Sequence, residues 1–384
     1  VNFEFATATR IVFGAGAAAR IGESVKAFGR RALVVTGRQP QRAERLLATL
    51  SGNGISAATF SVSGEPEIST IENGVAFSKR EHCEFVIAFG GGSVIDAGKA
   101  IAGMMTNDGA LLDYLEIIGR GQALKNPPAP FVAIPTTTGT GSEVTRNAVL
   151  GSPEHHVKVS LRSPLLLARL AVIDPELTAD LPPALTASTG LDALTQLIEP
   201  YVCLRANPVT DGFCLDGIPR VARSLREAVS NGHNPSARED MAIASLLGGL
   251  ALANAGLGAV HGFAGPIGGR FPAPHGAVCA ALLPHVTASN LRALRSRAPG
   301  SENLRRYDRV AALLTGDPRA KADSAVEWLQ KLVADLPVAK LGVFGIREEH
   351  IAELVAKAAT ASSMKANPIV LTPEELTQTL RQAL

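Results

Sequence analysis

Cysteine is scarce in this chain, and its four copies, Cys83, Cys203, Cys214 and Cys279, show no paired or CxxC spacing. That argues against a disulfide framework and against a cysteine-bound zinc. An excess of charge is also missing. Lys and Arg total 37 against 35 Asp and Glu, a net charge of +2, and no dense basic stripe is present, so a nucleic-acid or polybasic membrane footprint is not expected. Hydrophobic residues make up 46% of the chain, yet no apolar run is long enough to cross a bilayer, and VNFEFATATR lacks the charged-then-apolar pattern of a signal peptide. The expectation is a cytoplasmic protein whose partners are small molecules.

What is present points to two domains, because 384 residues exceed one ordinary core. Between about residues 10 and 178, the runs RIVF, RALVVTG, AATFSVS, FVIAFGGG, FVAIPTTT and LAVIDPE alternate with helix-length segments. This predicts a doubly wound, largely parallel α/β sheet of the kind that binds nucleotides. After Asp174-Pro175 the strand runs stop, and from LPPALTAST onward amphipathic Ala/Leu-rich segments predict an all-α domain. The expected division is residues 1–180 and 181–384, with ligands taken up between the halves. The leading segment VNFEFATATRIVF alternates like a strand without an obvious partner in its own sheet, which predicts pairing with a second copy in a homodimer.

Two glycine-rich loops compete for the phosphate role. VFGAGAAAR places Gly14, Gly16 and Ala19 in the dinucleotide-binding spacing, but the strand about twenty residues on ends Thr36-Gly37-Arg38, without the acidic residue that holds the ribose hydroxyls. Gly14 and Gly16 are therefore read as turn residues. Gly90-Gly91-Gly92-Ser93 is the better site, because strand FVIAF runs into it and helix VIDAGKAIAG follows, so free N–H groups and the positive helix end favour an anion. A second polar loop, Pro135 to Glu143, offers the hydroxyls of Thr136, Thr137, Thr138 and Thr140.

The helical half carries a candidate metal set. Asp192 and Gln196 in GLDALTQLIEP stand four apart, on one helix face, and His261 and His275, each followed by glycine, can converge on the same point. Carboxylate and imidazole are ordinary ligands for iron or zinc, whereas the Gln196 amide is a neutral, weaker donor. His155 and His156 are adjacent in the hairpin-like SPEHHVKV and read as surface residues, and His285, after LLP, reads as satisfying a helix end.

GGGSVIDAGKA, AIPTTTGTGSEVT, VIDPELT, GLDALTQ, VHGFAGPIGG and PHGAVCAALLP occur in the order and rough spacing of the iron-containing alcohol dehydrogenases, over about residues 30 to 290. The chain resembles that family. The resemblance implies an NAD or NADP cofactor, a divalent metal such as Fe(II) or Zn(II), and reversible hydride transfer between an alcohol and an aldehyde or ketone, with the metal as Lewis acid. Carried over by position, Gly91, Gly92 and Ser93 would cover the pyrophosphate, with Gly90 and Asp96 also counted as cofactor-binding, Thr136 to Thr140 would line the nicotinamide side, and Lys158 would reach the ribose. Asp192, Gln196, His261 and His275 would surround the metal. Gly37 and Arg38 lack the carboxylate that repels a 2′-phosphate, so NADP is expected to be accepted.

Two departures stand out. Gln196 replaces an expected histidine, which predicts weak metal binding. Gly265 replaces the second histidine of an HxxxH pattern, and Gly262 and Gly265 together predict added room for substrate. TGRQPQRAERLLATL is similar to maleylacetate reductases, which leaves open a reductase without a tightly bound metal. A dehydroquinate synthase-like lyase and a non-catalytic nucleotide-binding relative are the remaining alternatives.

Overall fold

The computed structural model describes residues 2–155 and 157–384, so the expectation for His156 lies outside the described residues. The chain divides into two compact units. One comprises Ala6–Thr137 and Gly141–Thr178; the other comprises Ala179–Leu384, Thr138–Thr140 and the N-terminal residues through Phe5.

The first unit holds β1 (Ile11–Phe13), β2 (Arg31–Thr36), β3 (Ser56–Ser61), β4 (Phe85–Gly90), β5 (Phe131–Pro135), β6 (Asn147–Ser152), β7 (Val157–Arg162) and β8 (Leu170–Ile173). Its helices are α1 (Gly22–Val25), α2 (Glu44–Gly52), α3 (Ile68–Arg80), α4 (Gly92–Met105) and the single turn α5 (Leu111–Tyr114). Six strands form a parallel sheet in the order β1-β8-β5-β4-β2-β3, while β6 and β7 make a separate antiparallel hairpin. All six expected runs are strands of the parallel sheet. Because β4 and β5 are buried along their whole lengths, they are continuously apolar rather than alternating. Gly98 brings α4 onto them: a Cβ there would lie 2.7 Å from the Ala88 side chain and 2.9 Å from the Phe131 ring.

One expectation is corrected here. Ile11–Phe13 has a partner in its own chain, pairing in parallel with Ala171–Ile173 at the sheet edge. The short apolar run suffices because β8 offers it an open flank.

The second unit contains α6 (Pro183–Val202), α7 (Pro208–Ser230), α8 (Pro235–Asn254), α9 (Ala259–Arg270), α10 (His275–Arg297), α11 (Glu302–Thr315), α12 (Ala322–Asp335), α13 (Ile351–Thr360) and α14 (Pro373–Gln382). Its core is mostly aliphatic, with Leu194, Ile198, Val221, Met241, Val260, Phe263 and Leu282 buried together. Gly248 lets α8 approach α6 closely, since a Cβ there would stand 3.2 Å from the Gln196 Cβ. Among the described residues, no single helix is long and apolar enough to cross a membrane.

His285 is corrected as well. It lies within α10, directly after Pro284, which the helix accommodates without ending. Proline removes a hydrogen-bond donor and usually breaks a helix, but apolar burial on both sides of Pro284 holds this one together.

Candidate active site

In the α/β unit the two glycine loops have different fates. Gly14 and Gly16 adopt positive φ and turn the chain after β1. The N–H groups of Gly16 and Ala18 donate to the Asp174 carboxylate, each at 3.1 Å. An internal anion thus occupies the place that a pyrophosphate would need, which agrees with the turn reading. At β4–α4 no side chain caps the helix start. Gly90 and Gly91 lie against Val94 and Thr137; a Cβ on Gly90 would come 2.6 Å from Val94. The 14-residue α4 therefore presents a backbone N-terminus suited to an anion.

The other expected cofactor residues fall into distinct settings. Thr136 and Thr138 are buried, and the Thr138 hydroxyl has no hydrogen-bond partner. Thr137 and Thr140 are partly exposed, and Arg38 is exposed at the end of β2 beside the partly exposed Gly37. Lys158 pairs with Glu65 at 3.0 Å. Both Asp96 oxygens are engaged within the unit, accepting from the Ser142 hydroxyl at 2.6 Å and the Val149 N–H at 3.1 Å.

Beside Asp96 lies a group not singled out from the sequence. Lys99 is fully buried, donates to the Thr145 hydroxyl and the Asn147 carbonyl at 2.9 Å each, and stands 3.6 Å from Asp96. Burial pushes the neighbouring Glu143 carboxyl up to about 7, against the pull of its own backbone hydrogen bond and of Lys99. The polar network braces the segment that follows the threonine loop.

The helical unit gathers Asp192, His261 and His275 at one point. Asp192 Oδ1 lies 3.5 Å from His261 Nε2 and 3.6 Å from His275 Nε2. It is buried and accepts no hydrogen bond, and the Gln196 amide oxygen one turn along α6 is likewise buried without a partner. Orphaned buried oxygens cost free energy unless something else satisfies them. Two imidazole nitrogens and a carboxylate oxygen, converging but too far apart for hydrogen bonds, fit a divalent ion by donor chemistry and by spacing.

Charge reinforces the fit. Burial would raise the Asp192 carboxyl, but the facing His275 and His261 imidazoles outweigh it and hold the group below the ordinary carboxylate range. Burial opposes the His261 imidazolium, but the adjoining Cys279, Asp192 and Glu199 outweigh it and carry its pKa well above the usual value. The pocket thus attracts cations.

Two participants were missed in the sequence. Glu199, three residues after Gln196 on α6, accepts from His261 Nδ1 and from the Val260 N–H, both at 2.7 Å. A carboxylate only accepts, so Nδ1 carries a proton, and Nε2 is the ring atom left to face Asp192 and a cation. Asn367 holds the same helix start by accepting the Ala259 N–H at 3.0 Å. Cys279 is the second. Its sulfur lies 3.6 Å from His275 Nε2 and 4.0 Å from His261 Nε2, which corrects the expectation that no cysteine attends the metal set. The signal was the His-x3-Cys spacing at the start of α10, one helical turn.

The glycine expectation is half corrected. Gly262 opens no room, because a Cβ there would meet the Met364 side chain at 2.8 Å, whereas Gly265 has nothing within 4 Å. His155 is exposed in the β6–β7 turn and bonded to the Ser152 hydroxyl at 2.8 Å, as a surface residue should be.

Known proteins resemble the chain over nearly its whole length. The family profile described as iron-containing alcohol dehydrogenase matches residues 8–175, and that described as Fe-containing alcohol dehydrogenase family, C-terminal, matches residues 186–384. The chain is 38% identical over 382 residues to 1,3-propanediol dehydrogenase of Klebsiella pneumoniae, covering 97% of this chain and 96% of that protein. It is 33% identical over 379 residues to NAD-dependent methanol dehydrogenase of Bacillus methanolicus, covering 97% of each. The crystal structure of a 1,3-propanediol oxidoreductase covers 100% of both chains with a TM-score of 0.92 and 36% identity.

Proposed function

The chain belongs to the iron-containing alcohol dehydrogenase family and is an oxidoreductase acting on alcohols or their carbonyl partners, and on that premise we propose how its residues divide the work. Residues 1–180 form the nucleotide-binding domain and 181–384 the metal and substrate domain. The N–H groups at Gly91, Gly92 and Ser93 receive the cofactor pyrophosphate. Thr136, Thr137, Thr138 and Thr140 bond its ribose and carboxamide groups, and Lys158, released from Glu65, reaches a ribose hydroxyl. Asp96 supports that loop through Ser142 rather than touching the cofactor, since both its oxygens already have donors.

Asp192, His261 and His275 hold a divalent ion, Fe(II) or Zn(II). The observation that carries this reading is the buried Asp192 Oδ1, without a hydrogen bond and 3.5–3.6 Å from two imidazole nitrogens. When bound, the ion supplies Lewis-acid polarisation of the substrate oxygen and the nicotinamide supplies or accepts hydride. Glu199 keeps His261 in the tautomer whose Nε2 can ligate. With glycine at 265, no imidazole relays the substrate proton from that position, and water does so instead.

Arg38, exposed beside Gly37, gives a 2′-phosphate a cationic partner, so both NAD and NADP serve, NADP preferred. Phe3 and Phe5 are partly exposed ahead of the edge strand β1, and a second copy covers this segment in a cytoplasmic homodimer. Oxidation of NADH and NADPH with a panel of aldehydes and keto acids, with and without chelator, tests the reading. Turnover of simple aldehydes that chelation abolishes supports it; chelator-resistant turnover confined to keto acids replaces it with the metal-free reductase.

A further inference from the structure

The residues around Asp192 contain one donor more than the expected set. Cys279 Sγ, His275 Nε2, His261 Nε2 and Asp192 Oδ1 belong to a group whose ligand atoms all lie within 4.8 Å of one another. Cys279 is buried, and α10 presents it one turn after His275, so the helix itself aims both side chains at the same point.

The spacings distinguish a ligand shell from a hydrogen-bonded cluster. A tetrahedral ion with nitrogen and oxygen ligands at about 2.0–2.1 Å and sulfur at about 2.3 Å separates neighbouring donors by roughly 3.3–3.6 Å. Here the edges are 3.5 Å for His261–Asp192, 3.6 Å for His275–Asp192, 3.6 Å for Cys279–His275 and 4.0 Å for Cys279–His261. Three of the four match, and the fourth needs a shift of a few tenths of an ångström. The two carboxylate–imidazole pairs are too long for good hydrogen bonds, and Asp192 Oδ1 has no other partner although it is buried.

Charge points the same way. Asp192, two neutral imidazoles and the Gln196 amide leave a divalent ion with one uncompensated positive charge in a buried site. A Cys279 thiolate in place of the amide balances the ion, and an unbalanced buried charge is costly.

We propose that Cys279 is a thiolate ligand of the metal, completing an Asp192–His261–His275–Cys279 shell in which sulfur takes the fourth place that Gln196 fills poorly. This rests on the reading that the first three residues bind a divalent ion. A soft sulfur donor favours zinc over iron at such a site, so the chain selects Zn(II) although its family is named for iron.

Cobalt(II) loaded into the metal-depleted full-length protein tests this without any assay of activity. Wild type should show both the visible ligand-field bands of bound cobalt and a near-ultraviolet sulfur-to-cobalt charge-transfer band. Cys279→Ser and Cys279→Ala should keep the ligand-field bands, lose the charge-transfer band, and bind zinc at least tenfold more weakly while iron(II) affinity changes less. Ligand-field bands without the charge-transfer band in wild type overturn the sulfur ligand and leave the three-residue site standing. Absence of both overturns the metal reading itself. Because the wild-type spectrum is decisive, the test survives a variant that fails to fold.

Discussion

His261 Nδ1 stands 2.7 Å from Glu199 Oε2, and the other oxygen of the same carboxylate accepts the Val260 N–H at the start of α9. One side chain therefore fixes both the helix that carries the histidine and the histidine's tautomer. Glu199→Gln can keep only one of these bonds with its single oxygen, so metal affinity should fall by roughly 10–100-fold. Isothermal titration of the depleted protein with zinc checks this. Unchanged affinity would reduce Glu199 to a helix brace.

Gln196 is buried on α6 one turn beyond Asp192 with its amide oxygen unpartnered. Gln196→His exchanges that weak donor for an imidazole and should raise iron(II) affinity on the order of tenfold, the scale on which metal sites respond to changed surroundings. The competition between iron and zinc is the useful readout, because the gain should be larger for iron if sulfur already serves zinc. Equal affinities for wild type and variant would show that an imidazole at position 196 does not reach the ion.

Asp174 accepts from the N–H groups of Gly16, Ala18 and Glu176 at 3.1–3.2 Å. Asp174→Ala leaves these donors without that acceptor and should cost roughly 1–3 kcal/mol of stability. Cofactor affinity, measured by fluorescence titration, should stay within about twofold of wild type after correction for the folded fraction. A collapse in affinity with stability intact would return the phosphate role to Gly14 and Gly16.

Glu143 gives the fold a pH dependence. Its pKa rises from 4.5 to about 7 through burial, so the native state holds this proton more tightly than the unfolded chain does. The contribution is fully present below pH 4.5 and is lost as pH rises through about 7, a difference of roughly 3 kcal/mol at full burial. Urea unfolding of wild type and Glu143→Gln at a series of pH values checks the sign. Wild type should lose ground to the variant between pH 4.5 and 7, and parallel profiles would contradict the assignment.

Much of this was legible in the sequence for a plain reason. β2, β4, β5 and β8 are short, largely buried apolar runs, which mark strands of a covered parallel sheet, and the less buried β1 and β3 were placed by their alternation with helix-length segments. The β6–β7 pair was visible only as a hairpin-like stretch, because NAVLGS and VKVSLR are half-buried and mixed in character. Asp192, His261 and His275 stood out because charged and ligating residues interrupt apolar helices. Cys279 did not, since a buried cysteine passes for a small apolar residue. Gly262 misled because the side chain that fills its space, Met364, is about a hundred residues away in sequence. Long-range packing of that kind leaves no local trace.

On the proposed reading, the buried Asp192–His261–His275 cluster holds a divalent metal on which turnover depends. Its most direct test is titration of chelator-treated protein with zinc(II) and iron(II) while binding stoichiometry and aldehyde-dependent NADPH oxidation are followed together. One ion should bind per chain, with activity rising in step with occupancy, and both should be lost in His261→Ala and His275→Ala. Turnover at the full rate in the depleted protein, with no response to either metal, would contradict it.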